Sequence, residues 1–330
     1  MQQLLDRTTG LRYATGDRIA ATLHQHDGHI LGCIGFGETA PALPRSDLPY
    51  ARVDMPVLGA AAFHEVWMSP DPVTTCSRGN LVCARNAEVL FGCLDIAANT
   101  HVAYDALIHE QYGRIFQLID DLGYPNLLRA WHYLPDIHVE EGPLDRYKRF
   151  SIGRHEAFVA NGRAISRDAP AASAVGKSGG HTVIVFLAAP TPGIPIENPR
   201  QVSAYSYPAQ YGPRGPTFAR ALLCSWNGRP QLYISGTASI AGHQSLHEGN
   251  AAGQADETLL NLRTVLDEAR GLMDLDAAAM LFKVYLRDAS HRPHVESGLR
   301  RAFGDAPEIV WLQAQICRRE LLLEIELVVA

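Results

Sequence analysis

Near the C-terminus, two glutamates stand two residues apart in an apolar run, Leu321-Leu322-Leu323-Glu324-Ile325-Glu326-Leu327-Val328. Side chains alternate between the faces of a strand, so Leu321, Leu323, Ile325 and Leu327 share one face, and Glu324 and Glu326 share the other with Leu322 and Val328. On a solvated edge strand these are two wet charges. If that face instead closes a pocket, a carboxyl among apolar neighbours is pushed up and holds a proton near neutral pH, which makes it a general acid. Upstream, residues 205–220 gather Tyr205, Tyr207 and Tyr211 with Arg214 and Arg220 around Pro and Gly turns. A guanidinium held by rigid turns suits a carboxylate, because two parallel charge-assisted bonds fix position and angle together. The alternative is a surface loop with salt-bridged arginines. The segment Tyr233-Ile234-Ser235-Gly236-Thr237-Ala238-Ser239 reads as a strand ending in small residues, where a ligand could approach the backbone, or as an ordinary tight turn.

Other chemistries fail on context. Ala171-Ala172-Ser173-Ala174-Val175-Gly176-Lys177-Ser178 nearly spells a phosphate loop. Such a loop follows a strand and opens a helix, whereas the preceding residues do not read as a strand and Gly179-Gly180 leads into a β-rich run. Gly32-Cys33-Ile34-Gly35-Phe36-Gly37 lacks dinucleotide-site spacing. Fourteen histidines, including His24, His26 and His29, show no H-E-x-x-H arrangement, and no G-x-S-x-G elbow supports a serine hydrolase. Six cysteines without a C-x-x-C pair fit reduced thiols better than a disulfide framework or a zinc site. Carboxylate and arginine chemistry, with no metal and no cofactor, is what remains.

The elements that must position these residues repeat. RPQLYISGTASIAG as a strand into a glycine-bounded loop, a helix capped by Asp256 and carrying Leu259, Leu262, Val265 and Leu266, a strand at 279–286, a helix at 293–303 and strands at 308–316 and 320–329 follow in order. Upstream, IHEQYGRIFQLIDDLG, LLRAWHYLPDI, RYKRFSIGRHEAF and HTVIVFLAAP offer the same succession. The last of these aligns with EIVWLQAQIC, and the first copy carries insertions at roughly 40–105 and 160–180. Two copies of one α+β unit result, with a Pro- and Gly-rich boundary at 190–216 that divides the chain into domains 1–200 and 201–330. The 330 residues are 47% hydrophobic and 19% charged, enough for a sizeable core. Their 29 basic and 35 acidic residues, net charge −6, give no field for nucleic acid. No apolar run reaches the length of about 20 that spans a bilayer, and Met1 to Arg7 does not open a signal peptide, so the expected location is cytoplasmic.

At this point a resemblance enters. Residues 205–330 resemble a RidA (YjgF) domain in the Gly-Pro turn before Phe218-Ala219-Arg220-Ala221, the Ile234-Ser235-Gly236 strand end, Val284-Tyr285-Leu286 and Glu324-Ile325-Glu326. YGPRGPTFARA, YISGTASIAGH, the Cys317 to Glu326 ending and RYKRFSIGR from Arg146 resemble the chorismatases, RidA-like proteins with an added RidA-related N-terminal half. The resemblance implies two RidA/YjgF-like units, each a mixed sheet with helices on one face, and chorismate as the substrate. It implies Glu324 as the acid that protonates the enolpyruvyl ether and releases pyruvate. Arg214 and Arg220 are then the carboxylate clamps, with Tyr211 in support, and the S-G-T-x-S loop brings Thr237 and Ala238 to the ring. The ring positions Ala238 and Cys317 divide the family by product: Cys accompanies hydroxybenzoate formation, and Ala the hydrolytic reaction that leaves a dihydroxycyclohexadiene carboxylate. This chain mixes the two, which points to 3-hydroxybenzoate, with 4-hydroxybenzoate, the hydrolytic product and a RidA-like imine deaminase as alternatives. RidA sites lie between subunits, so a chain with internal copies is expected to build its site within a monomer.

Overall fold

The computed structural model describes residues 10–15, 18–37, 47–97, 101–226, 228–272 and 280–329. The N-terminal heptapeptide weighed above as a signal segment, and Ala279 of the expected strand, lie outside them. Strands β1 (Gly10–Thr15), β2 (Ile30–Phe36), β3 (Tyr50–Val53) and β4 (Phe63–Met68), with helix α1 (Ile19–Gln25) after β1, form a sheet of order β1-β4-β2-β3. The chain continues through β5 (Thr74–Arg78), β6 (Leu81–Arg85), β7 (Leu90–Ile96), α2 (Tyr104–Leu122) and β8 (Asn126–Pro135). A short hairpin of β9 (Glu140–Glu141) and β10 (Leu144–Asp145) precedes α3 (Arg146–Ala160), α4 (Ile165–Asp168), β11 (Ala171–Lys177) and β12 (Thr182–Ala189). These strands, the hairpin apart, make a sheet of order β11-β8-β12-β7-β6-β5. Last come β13 (Ile194–Ile196), β14 (Ala221–Trp226), β15 (Arg229–Thr237) and a second hairpin of β16 (Ile240–Ala241) and β17 (Gln244–Ser245). After them stand α5 (Ala251–Arg270), β18 (Met280–Leu286), α6 (Arg292–Phe303), β19 (Glu308–Gln313) and β20 (Leu323–Val329), in a sheet of order β13-β14-β15-β20-β18-β19.

The two six-stranded sheets are the same object. In each, the parallel pair is joined through a helix (β8 to β11 through α3, β18 to β19 through α6), and the final strand inserts antiparallel beside the first of that pair. The four-stranded sheet repeats the same core: β2 is parallel to β3, and β4 runs antiparallel between β1 and β2. The fold is therefore α+β, two complete units preceded by a shortened third copy in which, among the described residues, the first two strands have no counterpart. Helices cover the outer face of each complete sheet, with α2 and α3 packed over one and α5 and α6 over the other. The inner faces meet in a shared aromatic interior where Trp67, Trp131, Trp226 and Tyr233 touch.

Several expectations change. Residues 171–177 form strand β11, although the sequence read this stretch as neither strand nor phosphate loop; its alanines lack the β-branched signal, and the strand exists because it pairs in parallel with β8 along its length. The counterpart of β19 is thus β11, and HTVIVFLAA, forming β12, corresponds to β20. The stretches taken as insertions hold elements of the repeat itself. Helix α5 begins at Ala251 with Asn250 as its cap, the Asn250 side chain accepting from the Gly253 amide, while Asp256 lies exposed inside the helix. The thiols are not all reduced: Cys76 and Cys83 stand opposite each other in the β5–β6 register, with Cα atoms 5.1 Å apart, and form a disulfide. Among the described residues, no helix is long and apolar enough to cross a membrane.

Candidate active site

A cavity of about 320 Å³ opens between the two complete units. That is the size of a small-molecule site. One wall comes from β11 (Ala172, Ser173, Ala174) and α3 (Tyr147, Phe150, Ser151, Arg154); the other comes from Gly236 of β15, Ala238 just after it, Cys317 and Glu324 of β20. The segment 207–220 covers it with Tyr207, Tyr211, Thr217, Phe218 and Arg220. The units are stitched at this seam, the Ser235 hydroxyl donating to the Ala219 carbonyl at 2.5 Å and accepting from the Ala172 amide at 2.8 Å.

Glu324 is held by what is missing beside it. The β15–β20 register shifts between Ile234 and Thr237, a bulge that takes Gly236 out of the ladder. A Cβ on Gly236 would stand 1.9 Å from Glu324 Oε1, so only glycine leaves room for the carboxyl. The Glu324 carboxyl thus rests against the small strand end, which also lines the cavity. Glu324 is 4% exposed, and its Oε1 has no hydrogen-bond partner among the described residues. Burial, aided by the neighbouring Glu326 charge and opposed by Arg129, pushes its pKa up to about 8. It is an acid that keeps its proton at neutral pH.

Five other buried atoms in the cavity wall also lack a partner among the described residues: Nε and Nη2 of Arg154, Nε of Arg220, Nε2 of His138 and the Thr217 hydroxyl. Native interiors pair most of their buried polar groups, which sets this cluster around one cavity apart from the rest of the wall. Arg220 is braced by its Nη2, which donates to the Val202 carbonyl at 2.8 Å and the Tyr207 hydroxyl at 2.7 Å, and by the Phe218 ring beneath it. Arg154 lies over the rings of Tyr112 and Phe158. Helix α3 can carry it there because Gly153 lets α3 press onto α2; a Cβ at Gly153 would stand 2.2 Å from the Asp105 carbonyl oxygen. Behind Arg154, buried His132 is held neutral by desolvation and by the Arg154 charge. Its Nδ1 donates to the Ser173 carbonyl at 2.7 Å, which leaves Nε2 to accept from the Tyr112 hydroxyl.

Of the residues singled out in the sequence, Glu324, Cys317, Arg220, Tyr211 and Ala238 line this cavity. Two do not. Arg214 is exposed on the outer side of its turn, and Thr237 turns its hydroxyl back to the Ser235 carbonyl at 2.8 Å. The Pro and Gly turns that hold Arg220 inward point Arg214 outward. Arg154 takes the place expected of Arg214; it lies within RYKRFSIGR, and its signal was an arginine on the apolar face of a helix beside a glycine. Burial raises the Cys317 pKa to about 12, so its thiol is a neutral part of the wall. Tyr211 is stacked under Arg318, whose Cζ lies 3.9 Å from the ring centroid.

A buried glutamic acid and two buried arginines thus line one small-molecule cavity. The family model "Chorismatase FkbO/Hyg5-like, N-terminal" matches residues 65–188. A 3-hydroxybenzoate synthase of Streptomyces hygroscopicus is 33% identical over 315 residues, covering 91% of this chain and 92% of its own. A chorismatase of the same organism is 35% identical over 321 residues, covering 92% and 90%. The crystal structure of a chorismatase is similar with a TM-score of 0.88 at 31% identity, over 97% of this chain and 98% of that one. The chain belongs to the chorismatase family.

Proposed function

We propose that this protein cleaves chorismate to 3-hydroxybenzoate and pyruvate, with Glu324 as the general acid. One observation carries the reading: a glutamic acid protonated at neutral pH presents an unpartnered oxygen to a cavity that also holds the free donors of Arg154 and Arg220. Chorismate is a dianion with two separated carboxylates and an acid-sensitive enol ether. Arg154 and Arg220 each take a carboxylate, which leaves the enolpyruvyl methylene to Glu324. Proton transfer from Glu324 to that carbon gives an oxocarbenium ion at the ether carbon, now bearing a methyl group. Chorismate and the sum of hydroxybenzoate and pyruvate contain the same atoms, so one ring oxygen leaves as part of pyruvate. The proton shed when the ring aromatises balances the one Glu324 delivered.

Cys317 and Ala238 both line the cavity. The neutral thiol of Cys317 supports the hydroxybenzoate outcome, since a small apolar wall keeps water from the cation. Ala238 supports the second reading, in which water captures the cation and a dihydroxycyclohexadiene carboxylate is left. Incubating the purified protein with chorismate and identifying the ring product by mass decides between them; 3-hydroxybenzoate with equimolar pyruvate is expected. Glu324→Gln is expected to lose turnover by about 10²-fold or more while remaining folded. Near-normal turnover by that variant, or no pyruvate from the wild type, would sink the reading.

A further inference from the structure

Beneath the cavity the inner faces of all three sheets meet in a closed set of charges. Glu326, 3% exposed, accepts from Arg129 Nη2 at 2.5 Å and the Ser173 hydroxyl through one oxygen. Through the other it accepts from Lys283 Nζ at 2.5 Å, Trp131 Nε1 at 3.1 Å and the Tyr285 hydroxyl at 3.3 Å. Lys283 also lies 2.6 Å from Oε1 of Glu65, which stands on β4 of the shortened unit. Glu326 and Glu65 between them take up both cations of the set, with burial pushing the Glu65 carboxyl up against the pull of Lys283, so among these residues no cation is left for Glu324. Glu326 does not line the cavity. It lies two residues from Glu324 on the same strand face, roughly 7 Å along the backbone. Ser173, gripped by Glu326 and by Arg129 at 2.6 Å, accepts from the Gly236 amide at 3.1 Å and so fixes the glycine against which Glu324 rests.

We propose that Glu326 is a positioning residue for the reaction: ion-paired to Arg129 and Lys283, it is the fixed negative charge that keeps the proton on Glu324. The proposal rests on the reading of Glu324 as the acid. Arg154 and Arg220 share its cavity, and the other groups that face Glu324 carry no compensating charge at neutral pH. They are Tyr285 paired with it on β18, Tyr147 from α3 and Cys317 before β20, all three pushed up by burial, with the backbone of Gly236 on β15 and Ser173 on β11. Arg129 acts in the opposite sense, and its charge is taken up by Glu326.

The test follows the Glu324 proton directly, by the infrared carbonyl band of the protonated carboxyl that Glu324→Gln removes, and through the pH dependence of kcat/KM for chorismate. Glu326→Gln takes away the negative charge and leaves Arg129 in excess. The Glu324 midpoint and the basic limb of kcat/KM are expected to fall together by about 1 to 2 pH units. KM at pH 6 stays within about twofold, because Glu326 makes no cavity contact. Arg129→Met/Glu326→Gln removes both partners of one pair and leaves Lys283 with Glu65, so it keeps the charge balance should the single variant fail to fold. Its midpoint is expected below that of the wild type by a smaller interval. A midpoint unchanged in both variants overturns the proposal. If Glu324→Gln keeps turnover, the acid assignment fails by that result alone, and the infrared titration still decides whether Glu326 governs the proton.

Discussion

Glu324 and Glu326 are the same residue type on the same face of one strand, and their surroundings give them opposite states. Desolvation raises both; for Glu326 the Lys283 and Arg129 charges outweigh it and hold the carboxyl below its ordinary value, whereas Glu324 has no such partner and rises to about 8. Only the protonated form can deliver a proton, so turnover is expected to hold up to neutral pH and to fall as pH rises past about 8. A kcat/KM profile with its basic limb nearer pH 6 would contradict this. The arginines sort in the same way. Arg154 is 3% exposed with two free nitrogens, and Arg214 is exposed. Arg154→Met is expected to lower kcat/KM by roughly 100-fold, the worth of one buried charge-assisted carboxylate contact. Arg214→Met should leave it within about twofold. Equal losses from the two variants would return Arg214 to the site.

The elements place these side chains through close approach. The bulge at residues 235–236 and the lack of a side chain at Gly236 make the slot for the Glu324 carboxyl, and Gly153 makes the helix contact that carries Arg154 inward. Gly236→Ala would set a Cβ 1.9 Å from Glu324 Oε1, so the carboxyl must move. A shift of about 1 Å in a reacting group can cost about 100-fold in rate. The expected result is a loss of kcat on that order with the fold retained, checked by steady-state kinetics beside a melting curve; wild-type kcat would show that the slot is not needed. The strand ending at Gly236 was legible from its residues, but its partner was not, because a glycine in a strand reads alike whether ligand, backbone or side chain fills the gap. Strand β11 was missed for a related reason: a run of Ala and Ser carries no strand signal of its own, and its small side chains are what leave room for the cavity beside it.

Across the whole molecule one unit is used three times and catalytic equipment is kept once. The registers pair Tyr285 with Glu324, Tyr133 with Val183 and Phe36 with Phe63 at matching places in the three sheets. Two residues along, Glu326, Val185 and Glu65 correspond. Only the last copy keeps a carboxyl where the acid stands; the others fill that place with apolar side chains, while the shortened copy lends Glu65 to the charge set on which Glu326 depends. The chain is therefore expected to bind one chorismate. Titration of the Glu324→Gln variant in a calorimeter should return a stoichiometry near one, and two or more sites per chain would show that the other junctions also bind substrate.

Alternation alone put Glu324 and Glu326 on one face and away from the leucines, and local pattern alone found α2, α3, α5, α6 and the later strands, because periodicity and turn residues act over a few positions of chain. The sequence also carried the family resemblance, and with it Glu324, Cys317 and Ala238, while charge and position offered Arg220 and Tyr211. What tertiary structure decided is which glutamate keeps a proton, which arginine turns inward and which copy holds the site. The first depends on groups more than a hundred residues away, Arg129 and Ser173 from one unit and Glu65 from another meeting Glu326 and Lys283. Desolvation and charge pairing are set by what packs across the interior, and no spacing along the chain encodes them.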